Sequence, residues 1–149
     1  MAEDMSARHG IPAFYDDFAR MLKLERPDVV HVTTPPASHL ALARAAATAG
    51  SHVYVEKPLT LNHADSKALI EHVVACGRKM TVGHAFHFDP PAVELRALCD
   101  RGVLGDIVHV EAFYGYDLGG PFGKGLMGDS RHWVHSLPGK LLHNNLDHL

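Results

Sequence analysis

Apolar and polar positions follow two different periods along the chain, and the pattern changes near residue 84. Between residues 28 and 83, short apolar runs alternate with longer segments whose apolar residues recur at helical spacing. The pattern predicts five elements, which are the strand Asp28–Thr34, a helix over 39–49, the strand His52–Val55, a helix capped by Asn62 and the strand Met80–Gly83. Crossovers of this length allow parallel strands, and right-handed crossovers give a doubly wound α/β sheet.

The segments before residue 28 and after residue 84 have a different pattern of apolar and polar residues. Before residue 28 the sequence predicts a short helix over 2–8 closed by Gly10, and a second helix that Asp16 or Asp17 caps and Pro27 ends. After residue 84 it predicts a helix over 92–101, an antiparallel strand over 106–116, a glycine-rich loop over 117–130 and a helix beginning at 140. The change divides the chain into two predicted domains, residues 1–85 and 86–149.

Composition narrows the class of protein. Of 149 residues, 46% are hydrophobic and 21% are charged, as in ordinary globular domains. The formal net charge of −3 gives no basic footprint for nucleic acid, and no apolar run approaches the roughly 20 residues of a membrane span. Two cysteines, Cys76 and Cys99, favour a reducing compartment, so we expect a cytoplasmic protein. The 13 histidines show no zinc-binding spacing, and no metal site is predicted.

Polar and charged residues follow the ends of the three predicted parallel strands. These residues are Thr33-Thr34-Pro35, Glu56-Lys57-Pro58 and Gly83-His84. Because ligands bind at the carboxyl ends of strands in open α/β sheets, we expect the three segments to form one site. Pro58 fixes its own φ and biases Lys57 toward extended geometry, which gives the lysine a defined pose. The alternative interpretation is a solvated Glu56–Lys57 ion pair.

The order of these motifs resembles the Gfo/Idh/MocA family of NAD(P)-dependent oxidoreductases. The residues that carry the resemblance are Asp28-Val29-Val30, Thr34-Pro35-Pro36 with His39, Gly50 before His52–Pro58, Val82-Gly83-His84 and Gly102–Ile107. The resemblance implies that residues 1–85 are the carboxyl-terminal part of a Rossmann-like NAD(P)-binding domain. Residues 86–149 would then begin an α+β substrate domain.

The resemblance also implies roles for individual residues. Thr34, Pro35 and His39 would lie near the ribose and nicotinamide of NAD or NADP, together with Glu56, Lys57, Pro58 and His84. Lys57 would hydrogen-bond the reacting hydroxyl and assist its deprotonation, or stabilise the oxygen as hydride moves. The substrate class would be a sugar, a cyclitol or a related polyol.

A second motif of the family, Asp-x-Gly-x-His, is only partly matched. The corresponding run is Asn144-Asn145-Leu146-Asp147-His148, in which Asn144 replaces the aspartate and Leu146 replaces the glycine. The resemblance makes His148 a candidate acid/base and substrate-binding residue. Asn144 could hydrogen-bond a substrate hydroxyl, but an amide cannot act as a base.

The family's Gly-x-Gly-x-x-Gly fingerprint does not occur before Asp28. We therefore expect the sequence to be an internal piece of a longer enzyme, inactive alone and poorly soluble because a strand edge lies open. The longer enzyme would bind a small sugar-like molecule and could form homo-oligomers through the sheet of its second domain. Two other functions stay open, which are a non-catalytic sugar- or nucleotide-binding or interaction protein and a histidine-based metal-dependent lyase or hydrolase.

Overall fold

The computed structural model describes residues 2–113, 115, 117 and 119–140. The chain divides into two compact units, Met1–Val82 and Gly83–Leu149. The elements of the first unit are α1 (Ala2–His9), α2 (Phe18–Glu25), β1 (Val29–Val32), α3 (His39–Thr48), β2 (His52–Val55), α4 (His63–Ala75) and β3 (Met80–Val82). Those of the second are α5 (Pro90–Asp100) and α6 (Pro121–Gly128), with short 3-10 turns at Ala85–Phe88 and Trp133–Ser136.

A parallel three-stranded sheet organises the first unit, in the order β1-β2-β3. Val30 pairs with Val53 and Val32 with Val55, and Val55 pairs in turn with Val82. The sequence-based prediction of a parallel α/β sheet with helical crossovers is therefore confirmed. The strand β2 has the predicted bounds, whereas β1 and β3 are slightly shorter than predicted because their ends turn into loops.

The core lies between the sheet and the helices α3 and α4. Val53 and Val55 of β2 are buried, and Leu69 and Val73 of α4 are buried in the same cluster. The alanine-rich helix α3 brings its backbone close to the sheet because Ala43, Ala46 and Ala47 have small side chains, and all three are buried there. The opposite side of β1 carries exposed residues, since its burial alternates along the strand.

Several helices begin or end at the capping residues that the sequence predicted. The Asp17 side chain accepts a hydrogen bond from the backbone N–H of Arg20, and the Asn62 side chain accepts one from Asp65. Gly10 takes a left-handed conformation after α1, with φ +62°. No helix in the described part of the chain is long and apolar enough to cross a membrane.

Two predictions for the second unit are wrong. Residues 106–113, the described part of the predicted strand, form no strand, and Val108 and Phe113 are more than nine-tenths exposed. Alternating polarity predicts a strand only if another strand pairs with it, and no such partner occurs among the described residues. Pro121–Gly128, predicted as part of a loop, is the helix α6, which begins with proline at its first position and buries Leu126.

The helices α4 and α5 leave apolar residues uncovered. In α4, Val73 is buried, but its neighbour Val74 is 69% exposed. Helix α5 contains no buried residue, and its apolar residues Val93 and Leu95 are more than half exposed. A helical period thus predicted these helices correctly but did not predict how much of each is covered.

Candidate active site

The carboxyl ends of β1 and β2 bring two of the predicted segments together. The register pairs Val32 with Val55, and the backbone N–H of Glu56 donates to the Val32 carbonyl at 2.8 Å. The residues that follow, Thr33–Pro35 on one strand and Glu56–Pro58 on the other, therefore leave the same edge of the sheet side by side. This is the edge at which open α/β sheets bind ligands. We refer to it as the rim.

The segment after β1 is held by its own hydroxyl groups. Ser38 Oγ donates to the Pro35 carbonyl at 2.8 Å and lies 2.6 Å from Thr34 Oγ1. Ser38 occupies the N-cap position of α3, but its side chain makes no capping bond, because it is engaged with these two residues. The result is a compact turn from Thr34 into α3 that exposes Thr34 and Pro35 at the rim.

His39 connects this turn to the segment after β2. Its side chain has no exposed surface. Ring atom Nδ1 lies 2.8 Å from the Pro58 carbonyl oxygen, and Nε2 lies 2.6 Å from the Thr34 carbonyl oxygen. The cofactor contact that the resemblance implies for His39 stays a prediction, whereas the structure places both ring nitrogens within hydrogen-bonding distance of backbone carbonyls of the rim.

The segment after β2 presents two charged side chains at the rim. Glu56 and Lys57 are partly exposed, Pro58 is buried, and the Lys57–Pro58 peptide bond is cis. Further along, the buried Thr60 hydroxyl donates to the Asn62 carbonyl at 2.8 Å and lies 2.7 Å from Ser66 Oγ. The start of α4 thus anchors the far side of the loop that carries Lys57.

An apolar cavity of about 370 Å³ lies along β1, on the side of the strand away from β2. It is lined by Phe18, Met21, Leu42 and residues of β1, and it ends at Thr34. In the described part of the chain β1 is an outer strand of the sheet. This is the strand whose edge the sequence predicted to be open.

Three of the predicted site residues cannot be placed at the rim. His84 belongs to the second unit, where its ring lies 5.9 Å from that of His87. Asn144 and His148 lie outside the described residues. Their roles stay predictions, and so does the assignment of 86–149 as a substrate domain.

Hydrogen bonds shift the pKa of Tyr15 in the first unit and of Asp129 in the second. A hydrogen bond to the Glu25 carboxylate raises the pKa of Tyr15, because ionisation would remove its donor. Hydrogen bonds from the Arg131 side chain and backbone lower the pKa of Asp129. Among the described residues no group of three or more histidine, cysteine or acidic side chains could hold a metal ion.

The polar contacts of Ser38 and Thr60 are features of the site that sequence reasoning missed. Ser38 lies six residues beyond the end of β1 and Thr60 five beyond the end of β2, each in a turn where hydroxyl side chains commonly bond to nearby backbone. The positions of Ser38 and Thr60 in the sequence indicated a local turn. Their hydrogen-bond partners could not be predicted, because these bonds depend on how each turn folds.

Comparison with known proteins agrees with this geometry. A family profile described as "Oxidoreductase family, NAD-binding Rossmann fold" matches residues 1–84. Inositol 2-dehydrogenase of Gluconacetobacter diazotrophicus is 36% identical over 124 residues, which are 81% of this chain and 36% of that protein. The chain thus spans about a third of the length of the curated relatives it matches.

Solved structures show the same likeness. The NAD binding oxidoreductase from Klebsiella pneumoniae superposes with a TM-score of 0.67 at 32% identity, over 70% of this chain and 28% of that one. Scyllo-inositol dehydrogenase from Lactobacillus casei, solved with bound NAD(H) and scyllo-inositol, gives a TM-score of 0.65 at 27% identity, over 70% and 32%. On its sequence, its sheet and its rim, the chain belongs to the Gfo/Idh/MocA family of oxidoreductases, which has an NAD-binding Rossmann fold.

Proposed function

We propose that this chain carries the nicotinamide side of the active site of an oxidoreductase that acts on a sugar, a cyclitol or a related polyol. The reaction converts a secondary alcohol to a ketone, with the hydride going to NAD and a proton released. The observation that supports the proposal best is the position of Lys57, directly after β2 and beside the Thr34 segment at the rim. Relatives named as inositol dehydrogenases support the substrate class.

The rim residues fit the ribose and nicotinamide end of the cofactor. Thr34 and Pro35 are exposed on one segment, and Glu56 and Lys57 are partly exposed on the other, so polar groups line both sides. Bound NAD would supply the hydride acceptor. No Gly-x-Gly-x-x-Gly fingerprint for its pyrophosphate precedes β1, and the run with that spacing at Gly123–Gly128 lies inside α6, so we assign no residue of the chain to the phosphates.

Lys57 is the proposed catalytic residue. Its ammonium group would hydrogen-bond the reacting hydroxyl and stabilise the negative charge that develops on that oxygen. His148 is the proposed acid/base that accepts the hydroxyl proton, and Asn144 would bind a neighbouring hydroxyl. The segments on either side of Lys57 are tied to the fold through Glu56 and Thr60, which limits the positions that the lysine can take.

The test is turnover by the full-length gene product with NAD⁺ or NADP⁺ and a panel of inositols and monosaccharides, followed by the absorbance of the reduced cofactor. We expect turnover of at least one cyclitol or sugar with NAD⁺. Cofactor binding without any turnover would contradict the proposal and favour the non-catalytic binding protein. Turnover that requires an added metal and no nicotinamide would instead favour the lyase or hydrolase.

A further inference from the structure

We propose that His39 is a positioning residue, which holds the Lys57 segment against the Thr34 segment and so sets the pose of Lys57 without touching the substrate. The inference rests on the function proposed above. It differs from the role that the family resemblance implies for His39, which is contact with the cofactor. It predicts that a buried side chain at the start of α3 controls the rate of the chemical step at Lys57.

The hydrogen bonds of the ring carry the argument. Both acceptors are backbone carbonyls, Pro58 O at 2.8 Å from Nδ1 and Thr34 O at 2.6 Å from Nε2, so the ring is the donor in each bond it makes. A ring nitrogen that carries a proton therefore donates to the carbonyl that it faces. The side chain has no exposed surface, so water cannot readily take its place at either carbonyl.

The position of these bonds relative to Lys57 gives them their consequence. The sheet joins the two segments up to the bond from Glu56 N–H to the Val32 carbonyl. Two residues further along each segment, the His39 ring lies between the Thr34 and Pro58 carbonyls, and Pro58 is the residue after Lys57. A shift of the Pro58 carbonyl would therefore move Lys57 directly, since the two residues share a peptide bond.

Two substitutions separate the bonds from the volume of the ring. His39→Leu introduces an apolar side chain of similar size and removes the hydrogen-bonding capacity of the ring, whereas His39→Gln keeps an amide donor. Because a misplacement of about 1 Å can cost about 100-fold in rate, we expect His39→Leu to lower kcat by about 100-fold. We expect His39→Gln to fall between His39→Leu and the natural protein.

Ser51→Ala is the matched control. Ser51 is buried and its hydroxyl donates to the Pro27 carbonyl at 2.6 Å, so the substitution also removes a buried bond to backbone. Ser51 precedes β2, however, at the end of the strand opposite to Lys57. General destabilisation of the unit should affect both variants alike, whereas loss of positioning should lower kcat only in the His39 variants.

The decisive experiment is a double-mutant cycle in the full-length enzyme, with kcat and the dissociation constant of NADH as readouts. If His39 acts through Lys57, His39→Leu should lower the residual rate of Lys57→Ala by less than about 3-fold, because the two residues act as a unit. NADH affinity should change by less than about 3-fold, since the ring does not touch the cofactor. Equal losses of kcat in both backgrounds, or a loss matched by Ser51→Ala, would overturn the inference.

The outcomes also separate this inference from the proposed function. Normal turnover by Lys57→Ala would reject the catalytic role of Lys57, whatever His39 does. An inactive Lys57→Ala together with a normal kcat for His39→Gln would reject only the positioning role. If His39→Leu does not fold, the same cycle with His39→Gln decides the question: a loss of kcat that disappears in the Lys57→Ala background supports the inference, and an unchanged kcat overturns it.

Discussion

Replacing Leu69 by alanine tests whether α4 packs on β2, the strand that Lys57 follows. Leu69 is fully buried in the cluster that includes Val53 and Val55 of β2. The substitution removes three carbon atoms, which is about 2.4 kcal/mol at about 0.8 kcal/mol per buried methylene. The cavity that remains adds to this loss, and we expect about 3 kcal/mol in all.

The adjacent residue supplies the control. Ile70 lies on the same helix but is 48% exposed, so Ile70→Ala should cost no more than about 1 kcal/mol. The assay is amide hydrogen exchange of Val53 and Glu56, whose N–H groups donate to the Lys79 and Val32 carbonyls. A loss of about 3 kcal/mol should speed their opening by roughly 100-fold. Equal exchange in the two variants would refute the packing of α4 on β2.

Two further predictions concern local conformation and charge. Gly50 has φ +99° with open space around it, so Gly50→Ala should lower stability by about 1–2 kcal/mol through backbone conformation alone. The control is Gly125→Ala, inside α6 and also without a close contact, which should be neutral or stabilising. Thermal unfolding compares the two variants. The bond to Glu25 raises the pKa of Tyr15, so its stabilising effect is complete below the ordinary tyrosine pKa and is lost as pH rises through the raised value. Glu25→Gln should lower the pH at which the absorbance of the Tyr15 tyrosinate appears. The Tyr15→Phe variant, which lacks this absorbance, identifies the Tyr15 step in the titration. An unchanged titration in Glu25→Gln would show that the bond does not form.

The parallel sheet could be predicted because its signals are local. Each apolar run between residues 28 and 83 is bounded by a cap, a glycine or a proline, and helical segments long enough for a crossover separate the runs. Parallel pairing then places Thr34 beside Glu56 and Lys57 without further information. The order of the motifs identified the family for the same reason, since it reflects the order of the strands.

The second unit could not be predicted in this way. The alternation from Asp106 to Phe113 describes one face of a strand, but a strand also needs a partner, and a single run of residues does not reveal one. The contacts of His39 were hidden for a similar reason. A histidine after Ser38 on an alanine-rich helix gives no sign that two carbonyls from different strand ends will meet its ring.

Lys57 is proposed to take part in hydride transfer at the rim. The most direct measurement is the single-turnover rate of NAD⁺ reduction by the full-length enzyme with Lys57→Ala, compared with Lys79→Ala. Lys79 is exposed and lies just before β3, at the end of the strands opposite to the rim. Its replacement by alanine therefore removes the same charge without changing the rim. We expect Lys57→Ala to lose at least about 100-fold while NADH still binds, and Lys79→Ala to keep its rate. Equal rates in the two variants would show that Lys57 takes no part in the reaction.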